Sequence, residues 1–60
     1  MKETIRYLRE KKSLLQSQVA KRLDISRQTY IKFESGDAEP SVAQLRVLAD
    51  LYQVPIIAFI

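Results

Sequence analysis

Arg27 and Gln28 stand side by side near the middle of the chain, and their side chains are of the two types that read base edges in a DNA major groove. Arginine donates a pair of hydrogen bonds to O6 and N7 of guanine, and glutamine pairs with N6 and N7 of adenine. Lys32 stands one helical turn further on, where an ammonium reaches another base or a phosphate, and Thr29 offers a methyl to thymine or a hydroxyl to phosphate. On an arbitrary surface helix the same residues would be only a solvated face, so their meaning depends on what the flanking residues turn inward. Catalysis has little to draw on. The chain has no histidine and no cysteine, its one glycine cannot build a phosphate-cradling loop, and its scattered carboxylates show no pairing suited to acid and base roles. These absences argue against an enzyme, a bound metal and a cofactor.

The elements that would position Arg27 and Gln28 follow from periodicity and caps. Ile5 and Leu8 lie three apart among charges between Lys2 and Lys12, the stripe of a short amphipathic helix that Ser13 ends. Val19, Ala20 and Leu23 recur at helical spacing from Gln16 to Leu23, and Asp24 follows where the chain must turn. Ser26 is a good N-cap for a third helix whose inner face is Tyr30 and Phe33, and Ser35 with Gly36 closes it. Ser41 and Gln44 match a capping box behind Pro40. A fourth helix is expected to run to about Tyr52, with Val42, Leu45, Leu48, Ala49 and Tyr52 facing inward. Val54 and Pro55 introduce a last short apolar segment ending at Ile60, with proline suited to the first helical position. The spacing predicts an all-α, compact bundle of five short helices, and residues 1–60 read as a single domain.

Composition bounds the possibilities further. Sixty residues that are 47% hydrophobic and 28% charged match a globular domain. A chain of this length buries only about 60% of its unfolded surface, so its stability should be marginal. No stretch approaches the roughly 18 apolar residues of a membrane span, and the start, with Lys2, Glu3 and Arg6, does not resemble a signal peptide. The expectation is a cytoplasmic protein with no membrane partner. The net charge of +3 is divided unevenly: nine Lys or Arg face three acids in residues 1–32, whereas Arg46 stands against Glu34, Asp37, Glu39 and Asp50 beyond. One end therefore suits a polyanion better than the other.

Residues 16–33 place Val19, Ala20, Leu23, Ile25, Tyr30 and Phe33 so that two short helices joined by a tight turn pack at a steep angle. Small Ala20 lies at the crossing and Ile25 plugs the turn. The stretch Gln16-Ser-Gln-Val-Ala-Lys-Arg-Leu-Asp-Ile-Ser-Arg-Gln-Thr-Tyr-Ile-Lys-Phe-Glu-Ser-Gly36 resembles the helix-turn-helix of the Xre/Cro family of phage repressor-like regulators. Leu8-Arg9-Glu10, Pro40-Ser41 and the pattern of Leu45, Leu48 and Ala49 extend the resemblance over almost the whole chain. It implies a helix-turn-helix over residues 16–35 and double-stranded DNA as partner. Arg27, Gln28 and Lys32 would lie against bases in the major groove, and Gln16, Ser26 and Thr29 against the backbone. It also implies a structural ion pair between Arg9 and Glu34, a phosphate contact being the competing role for Arg9. The family's usual activity is transcriptional regulation, most often repression at a palindromic operator.

The chain departs from the family pattern in four ways. Asp24 replaces the usual turn glycine, at some cost in stability, because a residue with a side chain must enter the left-handed region. Leu15 replaces the Ser or Thr cap of the second helix, which then either lacks a side-chain cap or begins earlier with Ser13 and Gln16. The loop from Gly36 to Pro40 is acidic where many relatives are basic, which lowers the expected backbone affinity. Ile31 and Ile57 stand at usually polar positions, and the uncharged run from Val54 to Ile60 asks for a cover. A homodimer using Ile57 and Ile60 would supply it, as would the remainder of a longer protein. The alternative function is a protein-interaction module, such as the antitoxin of a toxin pair, whose protein partner binds the apolar end or Ile31.

Overall fold

In the computed structural model, which describes the backbone of residues 2–59 and the side chains of residues 4–59, the chain forms α1 (Lys2–Lys11), α2 (Gln16–Arg22), α3 (Arg27–Ser35) and α4 (Val42–Tyr52). A single 3-10 turn, Ile56–Phe59, completes the series. The class is the expected all-helical one. The fifth helix is shorter and tighter than an α-helix, with Pro55 at its mouth accepting the Ala58 N–H at 2.9 Å.

The starts of α3 and α4 are capped by serine side chains. Ser26 Oγ accepts the Thr29 N–H at 3.1 Å. Ser41 Oγ accepts the Gln44 N–H at 3.1 Å while Gln44 Oε1 accepts the Ser41 N–H at 2.8 Å, a complete capping box. The start of α2 has only the returning half of that motif. The Leu15 side chain has no atom able to accept, but Gln18 Oε1 accepts the Leu15 N–H at 2.8 Å. Of the two beginnings the sequence allows for α2, the structure adopts the one at Leu15 without a side-chain cap.

All four α-helices end in the same way. A residue in the left-handed region follows each: Ser13 (φ 55°), Asp24 (φ 58°), Gly36 (φ 88°) and Gln53 (φ 57°). The N–H of the next residue reaches back five positions, as in Leu14 to Arg9 O, Ile25 to Ala20 O, Asp37 to Lys32 O and Val54 to Ala49 O, at 3.0–3.1 Å. This is the Schellman closure, in which an apolar residue after the left-handed one packs back onto the helix. Leu14, Ile25 and Val54 each pack against the core in this way. Glycine stands only at the closure where the following residue is the exposed Asp37, which has no apolar surface to bury. Burial of the anchor offsets the left-handed strain of Ser13, Asp24 and Gln53, about 1 kcal/mol each.

The core joins all five elements. Ile5 of α1, Val19, Ala20 and Leu23 at α2, Tyr30 and Phe33 of α3, Leu45, Leu48, Ala49 and Tyr52 of α4, and Phe59 are buried together. Tyr30 is fully buried, lies edge-to-face with Phe33 at 6.3 Å and brings its hydroxyl to 3.3 Å from that of Tyr52. α3 packs against both α1 and α2, and the 3-10 turn against α4 and α1. Val42, expected on the inner face of α4, is instead 63% exposed. It holds the first helical position, where periodicity gives a direction but no neighbouring element covers the side chain. Pro40, buried just before the Ser41 cap, takes the inner place, in the staple position relative to buried Leu45.

Candidate nucleic-acid interface

The face of α3 turned away from the core carries Arg27, Gln28 and Lys32, all exposed. Tyr30 and Phe33 fix this orientation, because burying both leaves the opposite side of a nine-residue helix toward solvent. Ala20 of α2 is only 2% exposed, and Ile25, in the turn between α2 and α3, is half-buried against the core.

Arg27 is tied into a chain of hydrogen bonds that runs inward. Its Nη2 donates to Gln16 Oε1 at 3.4 Å, and Gln16 Nε2 donates to Glu34 Oε1 at 3.1 Å. Arg9 Nε and Nη2 donate to the two Glu34 oxygens at 2.6 and 3.2 Å, and Arg9 Nη1 donates to the Leu14 carbonyl at 2.9 Å. One arginine of α1 thus holds both α3 and the loop leading into α2. The side chains of the pair are only 14% and 6% exposed. Burial by itself would raise the Glu34 carboxyl. The donors around it, Arg9 first, then the Tyr30 hydroxyl and Gln16, outweigh burial and hold the group below the ordinary carboxylate range. Glu34 in turn raises Arg9 above the ordinary guanidinium value, chiefly through their hydrogen bond. Burial, reinforced by Glu34 and Tyr52, drives the Tyr30 phenol far above the normal tyrosine range.

The relay gives Gln16 a defined amide orientation. With Nε2 directed at Glu34 and Oε1 at Arg27, one amide proton remains free to meet an anion. Ser26 and Thr29 also have internal partners: their hydroxyls lie 2.9 Å apart, so one proton joins them and one stays available. The six residues assigned to DNA on sequence grounds therefore divide. Among the described residues the Gln28 and Lys32 side chains have no hydrogen-bond partner, Arg27 and Gln16 are linked, and Ser26 and Thr29 form a capped pair. Of the two residues assigned to an interface between copies, Ile57 is 70% exposed, and Ile60 lies outside the described residues.

Sequence reasoning missed the depression in which this relay sits. A cleft of about 570 Å³ opens between α1, the start of α2 and α3, and its walls include Arg6, Leu15, Ser17, Ile31 and Ser35 beside the relay residues. Arg6 was legible in principle, since it lies three residues before Arg9 and shares its helix face. Leu15 gave no signal beyond failing as a cap.

A helix with its outward face rich in hydrogen-bond donors, held across a second helix by a tight turn, defines a helix-turn-helix domain. Residues 5–59 match the model of a family described as helix-turn-helix, and the chain belongs to that family, in its Xre/Cro, phage repressor-like class. An uncharacterized HTH-type transcriptional regulator of Methanocaldococcus jannaschii is 38% identical over 56 residues, which span 93% of this chain and 85% of the relative. No solved structure matches. Membership implies double-stranded DNA as the partner. Among the described residues, no helix is long and apolar enough to cross a membrane.

Proposed function

We propose that this protein regulates transcription by binding a palindromic operator as a homodimer, repressing by occlusion of polymerase. The observation that carries the reading is α3's outward face, where Arg27 stands against the relay and Gln28 and Lys32 project freely. In this reading Arg27, Gln28 and Lys32 contact bases, while Gln16, Ser26 and Thr29 give their spare protons to phosphates. Ile57 supports the dimer, because a 70% exposed isoleucine beside a buried Phe59 is an apolar surface in want of a cover. The same exposure favours the second reading, in which the protein partner of an interaction module docks there.

Selection of the chain against a random duplex library at two salt concentrations tests the proposal. A palindrome with half-sites about one helical turn apart is the expected outcome, with affinity falling as salt rises in proportion to the phosphates contacted. Enrichment of a single half-site would remove the dimer, and no enrichment at low salt would leave the interaction module. Sedimentation should show a dimer that Ile57→Lys dissociates.

A further inference from the structure

We infer that Ile31 is a sequence-reading residue, forming with Leu15 an apolar contact for the 5-methyl group of a thymine beside the base pair read by Arg27. The inference rests on the DNA-reading role of α3 proposed above and extends it to a side chain that donates no hydrogen bond. Ile31 lies one turn after Arg27 on the same helix flank, next in sequence to Lys32. Helical side chains lean toward the N-terminus of their helix, so Ile31 is directed back along the turn that carries Arg27. Both line the cleft between α1, α2 and α3, where Ile31 is half-buried and Leu15 is 63% exposed. The other walls are arginines, serines, Gln16 and Glu34, so these two side chains are the apolar part of an otherwise polar surface.

Chemistry selects the occupant of that apolar spot. A major groove presents donors and acceptors at every base pair, and its one apolar group is the thymine methyl. The relay fixes Arg27 laterally by way of Gln16, which places Ile31 at a constant offset from the base that Arg27 meets. Ile31 would therefore prefer thymine at one defined position, and cytosine, which has no methyl, would lose the contact.

The test uses the duplex selected by the wild-type chain, with each thymine replaced in turn by deoxyuridine, which removes the methyl and leaves every hydrogen bond. One thymine next to the Arg27-dependent base should lose about fourfold in affinity on replacement, the value of one buried methyl group. In Ile31→Ser the preference for thymine over uracil at that position should shrink to the part that Leu15 retains, and Ile31→Val should keep more of it. Helical content and melting of each variant are read alongside, and if Ile31→Ser fails to fold, Ile31→Val carries the test, an undiminished uracil penalty in that folded variant counting against Ile31. A selected duplex in which no thymine is sensitive, or an unchanged uracil penalty in a folded Ile31→Ser, would overturn the role of Ile31 while leaving DNA reading intact. Failure to select any duplex would overturn the reading on which the inference rests.

Discussion

Along α3, the flank facing α1 and the start of α2 is a connected set of charges and amides, from Arg27 through Gln16 and Glu34 to Arg9. The flank carrying Gln28 and Lys32 is exposed, and neither side chain has a hydrogen-bond partner among the described residues. One flank is ordered before any ligand arrives, whereas the other must be ordered on contact, at about 0.5–1.5 kcal/mol for each long side chain immobilised. The difference separates two tasks on one short helix. The linked flank sets the register of α3 against the rest of the domain, and the free flank adapts to what it meets.

The sharpest way to break this contrast is to remove the anchor. Glu34→Ala should destabilise the domain by about 3 kcal/mol, since it leaves the Arg9 guanidinium without its partner in a poorly hydrated site. For a domain of marginal stability that is enough to populate the unfolded state, which urea titration will report. The double variant Arg9→Met with Glu34→Leu should recover most of the loss, because an apolar pair removes the desolvation term together with the charges. If the double variant is no better than Glu34→Ala, the pair acts through shape and not through charge.

Acid should weaken the same anchor. The folded state holds Glu34 below its unfolded value and so favours the ionised form. Its contribution is complete above the ordinary carboxylate range and is lost as pH falls through the depressed value. Urea midpoints followed from neutral pH into acid should fall in the wild type, with a shallower fall in Glu34→Gln. Tyr30 has the opposite sign: its raised phenol favours the neutral form, so that contribution is complete below the ordinary tyrosine range and fades only in alkali.

At the surface, Arg27→Ala and Gln28→Ala should each weaken specific DNA binding by about 1–3 kcal/mol, one base contact apiece. The contrast is sharpened by combining each with Gln16→Ala. The Gln16 change should be non-additive with Arg27→Ala, because the two side chains share a hydrogen bond, and additive with Gln28→Ala across the helix. Additivity in both cycles would show that the 3.4 Å contact does not position Arg27. The smallest effect concerns the delivery of Gln16. Leu15→Ser supplies the missing cap of α2 and should raise stability by about 0.5–1 kcal/mol in thermal or urea unfolding.

Much of this architecture was legible from residues taken in order. The caps Ser26 and Ser41, the buried stripe of Val19, Ala20 and Leu23, and the inward pair Tyr30 and Phe33 are local features, and local chemistry suffices to read them. Those stripes also determine which face of α3 turns outward, and hence the candidate residues Arg27, Gln28 and Lys32. Val42 shows where such reading stops, because spacing assigns a direction and only a neighbouring element assigns depth.

By itself the sequence determined the helical class, the turn between α2 and α3 and the chemistry available on the outward face, all of which depend on residues within a few positions of one another. Tertiary structure decided what depends on burial and on distant partners. Ser13 and Gln53 adopt left-handed conformations that their types do not announce, because Leu14 and Val54 can bury themselves only if the chain turns there. Gln16 acquires a fixed amide orientation only when folding brings Glu34, eighteen residues away, within hydrogen-bond reach. The cleft holding Ile31 and Leu15 exists only once three helices have met. A long-range contact costs chain entropy to form and is retained where apolar burial or a buried charge pair outweighs that cost, a balance that the order of residues alone does not display.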